Sequence, residues 1–225
     1  MSEVLLVGDV GGTWIRLALF CDGLGEVWKC RTSEYTTLSA AVEEFLKQHD
    51  VTPAASAIGV AGPVNGRKAA LTNADWSADA DVLPQPAVLI NDLAAAAHGV
   101  GVLDPGEARR ICGPPPIEGA PRVVMGLGTG HGQAIWMDGK SLAGEAGHAE
   151  FAPSDPELVE LAQVLRGVHG RVSVEAVLSG RAMHEVLRFA AGKAPMGPDA
   201  TNALLSRSSG EVVAQFAGQD AACAR

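Results

Sequence analysis

Two glycine-rich turns in this sequence could bind phosphate through their backbone amides. The first reads GDVGGT over residues 8–13, and the second reads GLGTGHG over residues 126–132. Glycine lets N–H groups face an anion without an intervening side chain, and each turn adds a threonine hydroxyl. Neither turn matches the phosphate-loop or dinucleotide fingerprints, so either one alone could be a plain hairpin turn. Together they favour a phosphate clamp, whose amides would belong to Gly11, Gly12, Thr13, Gly128, Thr129 and Gly130.

Asp9 lies beside the first turn, where a bound phosphate would repel its carboxylate unless a cation lay between them. Mg²⁺ is the natural mediator, because it binds one or two carboxylates together with water and phosphate oxygens. We therefore predict that Asp9 steers Mg²⁺ through water, with no direct protein ligand to the metal. The alternative is structural, since an Asp in a tight turn often caps that turn through its own backbone.

Asp92 ends the apolar run AVLIND at residues 87–92. Side chains at the end of such a strand tend to project into a cleft. An Asp in that place can accept the proton of an attacking hydroxyl in phosphoryl transfer. Asp is equally common as the N-cap of a helix, and the helical segment LAAAAHGV follows directly. The local sequence leaves both roles open.

Glu145 and His148 are three residues apart in the glycine-containing segment GEAGHAEF. A carboxylate that accepts and an imidazole that donates or accepts suit two neighbouring sugar hydroxyls. A metal site is the weaker interpretation, because no third ligand is clustered with them. A histidine in a loop is also commonly a plain surface residue.

The elements that must position these residues follow from hydrophobic periodicity. Strands are predicted at 4–10, 15–20, 26–31, 56–62 and 87–92, with hairpins that turn at 65–66 and within 123–137. Helices are predicted at 37–49, 93–100, 155–170, 172–178 and 182–190. Residues 103–121 are rich in Gly, Pro and charge, which indicates a boundary between domains 1–103 and 104–225. The pattern differs from a dinucleotide-binding βαβ alternation and indicates mixed sheets flanked by helices in two related domains.

Composition excludes several classes of protein. The 225-residue chain has a formal net charge of −9 and no block of Lys and Arg, which argues against nucleic acid or an anionic membrane as a partner. Its 4 cysteines are scattered, so neither a disulfide framework nor a zinc site is supported. The N-terminus lacks the basic region of a signal peptide, and no apolar stretch is long enough to span a membrane. We expect a soluble cytoplasmic protein.

Taken in order, these motifs resemble those of the bacterial ATP-dependent glucokinases, in the superfamily of hexokinase, actin and the heat-shock ATPases. The matching pieces run through nearly the whole chain. They are GDVGGT with Arg16, AGPV at 61–64, TNADW at 72–76, IND at 90–92, GLGTGHG at 126–132, GEAGHAEFAP at 144–153 and VSVEAVLSG at 172–180. The related repressor–kinase family usually carries a Cys-rich zinc motif after its sugar-binding His, and none follows His148.

The resemblance implies an α/β protein with a two-domain actin-like ATPase fold, related to ribonuclease H, which closes over glucose. ATP with Mg²⁺ would phosphorylate the 6-hydroxyl of the sugar, and Asp92 would be the general base. A homodimer is implied as well, because dimers are common in this family. The implied nucleotide contacts are Gly8, Asp9, Val10, Gly11, Gly12, Thr13, Gly128, Thr129 and Gly130. The implied sugar contacts are Asn91, Asp92, Glu145, His148 and Glu175.

Two features depart from the family pattern. Trp14 stands where the first phosphate loop normally carries a small polar residue, and an indole there could reshape the loop or cover the cleft. The sequence also ends before the segments that hold adenine and pack a last helix on the first domain, so we expect a truncated second domain. Two alternatives therefore stay open: a related hexose or amino-sugar kinase, and a non-catalytic sugar-binding or regulatory module. A DNA-binding regulator is the poorest fit, because no helix-turn-helix precedes Val4.

Overall fold

The computed structural model describes residues 3–71, 77–104, 106–115 and 117–225. The chain divides into two compact units. The first comprises Met1–Val124 and Ala134–Ala143, and the second comprises Met125–Gln133 and Gly144–Arg225. The motif TNADW at 72–76 lies outside the described residues, and the boundary expected between residues 103 and 104 stays a prediction.

Within the described residues, the strands in chain order are β1 (Leu5–Val10), β2 (Trp14–Phe20), β3 (Trp28–Arg31), β4 (Ala55–Val60), β5 (Val64–Asn65), β6 (Lys68–Ala70), β7 (Ser77–Asp79), β8 (Ala87–Asn91), β9 (Arg122–Leu127), β10 (His131–Met137) and β11 (Lys140–Gly144). The helices are α1 (Leu38–His49), α2 (Asp92–Gly99), α3 (Pro156–His169), α4 (Glu175–Leu178), α5 (Met183–Lys193), α6 (Pro198–Ala203) and α7 (Ser209–Phe216).

A mixed five-stranded sheet forms the centre of the first unit, in the order β3-β2-β1-β4-β8. The β1–β2 and β2–β3 pairs are antiparallel, whereas β1 pairs in parallel with β4, and β4 with β8. The expected mixed sheet and the first glycine hairpin are therefore confirmed. Because β1, β4 and β8 run in the same direction, Val10, Val60 and Asn91 end at one edge of the sheet.

Helix α1 covers the buried face of this sheet and begins as the sequence predicts. The Thr37 hydroxyl caps it by accepting a hydrogen bond from the N–H of Ala40 (3.2 Å). Phe45 is fully buried in the core, and its ring lies 5.9 Å from the ring of Trp28, measured between centroids. Helix α1 therefore packs on β3, the strand that pairs with β2 of the first glycine hairpin.

Two smaller sheets complete the strands. The sheet β5-β6-β7 is antiparallel, and Gly66 turns its first hairpin with a φ of +61°, as the Asn-Gly pair predicts. The other sheet has the order β11-β10-β9 and contains the second glycine turn. Among the described residues, no helix is both long enough and apolar enough to cross a membrane.

The second unit is mainly helical after β11. Asp155 caps α3 and Pro156 occupies its first turn, as the Asp-Pro pair predicts. The helix predicted at 172–178 is shorter, because the Val172 carbonyl accepts a hydrogen bond from the Phe151 N–H (2.9 Å). That strand-like pairing keeps the start of the segment extended, so helix α4 begins only at Glu175.

Replacing Phe45 with Ala should lower the free energy of unfolding of the first unit by about 3–5 kcal/mol, because a fully buried ring leaves a cavity. Urea denaturation followed by tryptophan fluorescence measures the change, since Trp28 contacts the Phe45 ring. Phe20→Ala is the matched control: Phe20 is 41% exposed and should cost only about 1 kcal/mol. Equal losses in the two variants would contradict this account of the core.

Candidate active site

The first glycine turn is held in place by Thr32, which directly follows β3. The Thr32 hydroxyl donates a hydrogen bond to the Gly11 carbonyl (2.6 Å), and its N–H donates to the Thr13 carbonyl (3.1 Å). Inside the turn, the N–H of Gly11 donates to the carbonyl of Trp14 (2.9 Å). The Gly11 N–H is therefore used within the turn, whereas the N–H groups of Gly12 and Thr13 have no acceptor among the described residues.

Gly8 and Val10 have packing roles in β1. A Cβ at Gly8 would lie 2.7 Å from Leu17 Cδ2 and 2.9 Å from Ile58 Cδ1, which is too close for either side chain. The Val10 side chain is fully buried in the core. Their expected contacts with ATP stay predictions, and backbone atoms would have to make them.

Asp9 forms an ion pair across the β1–β2 hairpin with Arg16, its partner in the strand register. Arg16 Nη1 donates to Asp9 Oδ2 at 2.7 Å. The carboxylate thus bonds to a neighbouring strand, and among the described residues it does not cap its own turn. The Asp9 side chain is still 51% exposed, so its second oxygen remains accessible to a ligand.

Trp14, which begins β2, is covered by two cations of the neighbouring strand. Lys29 Nζ lies 4.1 Å and Arg31 Cζ lies 4.9 Å from the centre of the ring. Exposed cation–π contacts of this kind contribute about 0.5–1 kcal/mol each. These contacts hold the indole against β3. The positive charges of Lys29 and Arg31 therefore lie close to the end of the first glycine turn.

Asn91 caps helix α2, and this settles one alternative for its neighbour Asp92. The Asn91 Oδ1 accepts hydrogen bonds from the N–H groups of Leu93 and Ala94 (both 3.1 Å). Its Nδ2 donates to the Gly62 carbonyl (3.3 Å) and to Asp92 Oδ1 (3.0 Å). Asp92 is thus the first residue of the helix and not its N-cap. All the hydrogen-bonding capacity of the Asn91 side chain is used within the protein.

Asp92 lies beside Asp9 at the carboxyl edge of the parallel strands. Asp9 pairs with Gly59 in the register, and a Cβ at Gly59 would lie 3.6 Å from Asp92 Cα. Burial raises the pKa of the Asp92 carboxyl above its ordinary value, and the negative charge of Asp9 raises it further. The Leu93 N–H and Asn91 Nδ2 oppose this increase by hydrogen bonding to the carboxylate, but they do not reverse it.

These two carboxylates fit a hydrated Mg²⁺ better than a metal bound by protein alone. Within residues 3–71, 77–104, 106–115 and 117–225, no group of three or more His, Cys, Asp or Glu side chains could hold a metal ion. Mg²⁺ is commonly bound by one or two carboxylates plus substrate phosphates. A free oxygen on Asp9 beside a partly buried Asp92 meets that requirement.

The second glycine turn is held by the segment that follows α4. The Gly180 N–H donates to the Gly128 carbonyl (2.8 Å), and the Arg181 N–H donates to the Thr129 carbonyl (3.4 Å). The N–H of Gly128 closes the turn on the Gly130 carbonyl (2.9 Å). In the part of the chain that the structure describes, the N–H groups of Thr129 and Gly130 have no acceptor.

Glu175, the first residue of α4, contacts the same turn. Its Oε2 accepts a hydrogen bond from the N–H of His131 (2.7 Å), directly after the glycines. A Cβ at Gly130 would lie 2.7 Å from that oxygen, so only glycine allows the carboxylate to come so close. The sequence comparison implied a sugar contact for Glu175 and gave no sign of this bond to the turn.

Glu145 and His148 lie next to Glu175 in the chain topology of the second unit. The Val174 N–H donates to the Ala149 carbonyl (2.9 Å), which aligns the segment after His148 with the residues before Glu175. His148 Nε2 lies 3.7 Å from Glu145 Oε2, and the two side chains are 65% and 86% exposed. Both side chains are accessible to a polar ligand such as a sugar.

His131 is a site residue that the sequence reasoning missed, although it lies within the second glycine motif. It is buried, and its Nδ1 is the one fully buried side-chain nitrogen or oxygen atom without a hydrogen-bond partner in the described residues. Its carbonyl lies against Gly147, where any Cβ would collide with it. His131 therefore joins the glycine turn, Glu175 and the Glu145–His148 segment.

Comparisons with known proteins agree with these motifs. The family model for glucokinases matches residues 6–225. A curated glucokinase from Yersinia enterocolitica is 36% identical over 200 residues, which cover 84% of this chain and 62% of the relative. The chain thus spans about 62% of the length of the curated relatives it matches.

Solved structures show the same fold. A glucokinase from an Antarctic psychrotroph has a TM-score of 0.76 and 25% identity, covering 96% of this chain and 76% of its own. A ROK family glucokinase from Streptomyces griseus, in complex with glucose and AMPPNP, has a TM-score of 0.63 and 21% identity, covering 98% of this chain and 73% of its own. The expected α/β fold of the actin-like ATPase class is confirmed.

Asp92→Asn should stabilise the chain at neutral pH, by an increase in Tm on the order of 1–3 °C. The raised pKa means that the folded state disfavours the charged Asp92 carboxylate. The charge therefore lowers the free energy of unfolding at pH values above the folded-state pKa. The cost disappears as the pH falls toward about 3.9, the pKa of an unfolded Asp. Thermal unfolding of both proteins between pH 4 and 8 tests this, and a gain that does not shrink at low pH would contradict it.

Gly130→Ala should weaken the bond between Glu175 and the second glycine turn, because the new Cβ displaces the carboxylate. We expect a loss of about 1–2 kcal/mol in unfolding free energy, the value of one hydrogen bond to a charged acceptor. Gly128→Ala in the same turn is the control, since nothing lies within 4 Å of its Cβ position. Chemical denaturation that gives the two variants the same stability would disprove the close approach.

Proposed function

Because the chain belongs to the glucokinase family, we propose that it transfers the γ-phosphoryl group of ATP to the 6-hydroxyl of glucose, giving glucose 6-phosphate. Membership rests on the family model over residues 6–225. The Streptomyces griseus glucokinase, which has the same fold, is solved in complex with glucose and the ATP analogue AMPPNP. The proposal takes ATP as the donor and glucose as the acceptor.

The observation that carries the proposal is the state of Asp92. Its carboxyl is partly buried, beside a second carboxylate, at the edge where three parallel strands end. A general base is most effective when its pKa is raised toward the working pH. Asn91 meets the capping requirement of α2, so Asp92 is available to accept the proton of the 6-hydroxyl.

The remaining roles follow the same chemistry. We propose that Glu145, His148 and Glu175 accept and donate hydrogen bonds to the sugar hydroxyls. The free amides of the two glycine turns would bind the phosphates. Asp9 would hold Mg²⁺ through water, and the metal would neutralise charge on the phosphates. A cytoplasmic homodimer, the state implied by the family resemblance, completes the proposal.

The first experiment measures ATP-dependent formation of glucose 6-phosphate by the 225-residue chain and its Asp92→Asn variant. Loss of the general base should lower kcat about 10²–10⁴-fold. Asp50→Asn is the matched control. Asp50 follows α1 and precedes the amino end of β4, whereas Asp92 follows the carboxyl end of β8. Asn tolerates the left-handed φ of 47° at this position as well as Asp does. Direct titration with glucose accompanies each assay.

The outcomes separate the candidate functions. Turnover that survives in Asp50→Asn and fails in Asp92→Asn supports the kinase. Glucose binding without turnover in any variant would favour the sugar-binding module, and turnover that prefers an amino sugar would favour the related kinase. Equal turnover in both variants would disprove the role of Asp92.

A further inference from the structure

Helix α4 clamps the second glycine turn from both of its ends. At its start, Glu175 Oε2 accepts the N–H of His131 (2.7 Å). Just beyond its end, the Gly180 N–H donates to the Gly128 carbonyl (2.8 Å). The whole turn from 128 to 131 is thereby fixed to a helix of four residues. A movement of α4 must therefore move the amides that are left for phosphate.

The two carboxylate oxygens of Glu175 differ in their hydrogen bonding. Oε2 is committed to the turn, whereas Oε1 has no hydrogen-bond partner among the described residues. An oxygen without a partner on a partly exposed carboxylate can accept a hydroxyl proton from a polyol. One side chain can thus contact a sugar and hold the phosphate turn at the same time.

A second connection reaches the turn through His131. Its carbonyl lies against Gly147, so the segment between Glu145 and His148 rests directly on the first residue of β10. The His131 side chain is buried, and its Nδ1 has no hydrogen-bond partner among the described residues. This backbone contact supports His131 on the side of the Glu145–His148 segment, whereas the Glu175 carboxylate binds the His131 N–H.

We infer that Glu175 is a positioning residue for the phosphate turn, through which sugar binding raises the affinity for the phosphates of the donor. The inference rests on the proposed function, because it takes glucose as the ligand of Glu175. Sugar bound to Oε1 fixes the carboxylate, the carboxylate fixes the His131 N–H, and the ordered turn presents the amides of Thr129 and Gly130. By linkage, bound phosphate must raise the affinity for sugar by the same factor.

The test measures the dissociation constant of inorganic tripolyphosphate with Mg²⁺, by calorimetry, with and without saturating glucose. Tripolyphosphate probes the phosphate turns without any contribution from adenosine. The ratio of the two constants is the coupling factor, which we expect to be about tenfold in the unsubstituted chain. In Glu175→Ala the coupling factor should fall below about twofold even at saturating glucose, because alanine cannot accept the His131 N–H.

Glu145→Ala is the matched control, since Glu145 is a proposed sugar contact without a hydrogen bond to the turn. It should weaken glucose binding yet keep the tenfold coupling once glucose is saturating. Glu175→Gln should keep most of the coupling, because its amide oxygen can still accept the His131 N–H. A purely structural role for Glu175 would not produce this pattern.

Three results would overturn the inference. A coupling factor near 1 in a chain that binds and phosphorylates glucose would remove the link and leave the proposed function intact. Loss of coupling in Glu145→Ala to the same degree as in Glu175→Ala would assign it to sugar binding in general. A chain that does not bind glucose at all would fail the proposed function first and the inference with it.

Discussion

The parallel register of β1, β4 and β8 is the constraint on which the candidate residues of the first unit depend. It brings the ends of three strands to one edge, and with them two carboxylates that repel each other. Neighbouring groups stabilise the two negative charges. Arg16 forms an ion pair with Asp9, and the Asn91 amide and the Leu93 N–H donate hydrogen bonds to Asp92. A charge pair held in this way is costly without a cation, and it is well suited to phosphates that arrive with one.

In the second unit, the equivalent constraint is the approach of a carboxylate to backbone. Glu175 reaches the turn only because residue 130 has no Cβ, and Gly147 meets His131 for the same reason. Glycine in these motifs thus serves two purposes. It allows the tight turns in which we propose that N–H groups bind phosphate, and it lets the supporting groups come within hydrogen-bonding distance of those turns.

The sequence predicted most elements of the first unit because local signals agree there, namely hydrophobic periodicity and the Asn-Gly turn at 65–66. It predicted the candidate residues through motifs, but not their supports. Thr32, His131 and the clamp by α4 depend on contacts between segments far apart in the chain, which no local pattern encodes. The predicted helix at 172–178 was too long for the same reason, since pairing with Phe151 overrides its helical spacing.

Asp92 shows how a functional demand can be separated from a structural one. An Asp in the first turn of a helix gains about 0.3–1 kcal/mol from the helix dipole, which by itself would lower the pKa of its carboxyl. The pKa is nevertheless raised, because burial and the charge of Asp9 outweigh the hydrogen bonds that lower it. Because Asn91 already caps α2, the helix does not need an acid at position 92 as its cap. A carboxylate kept at a net electrostatic cost, where parallel strands end, is consistent with the general base that we propose for the sugar hydroxyl.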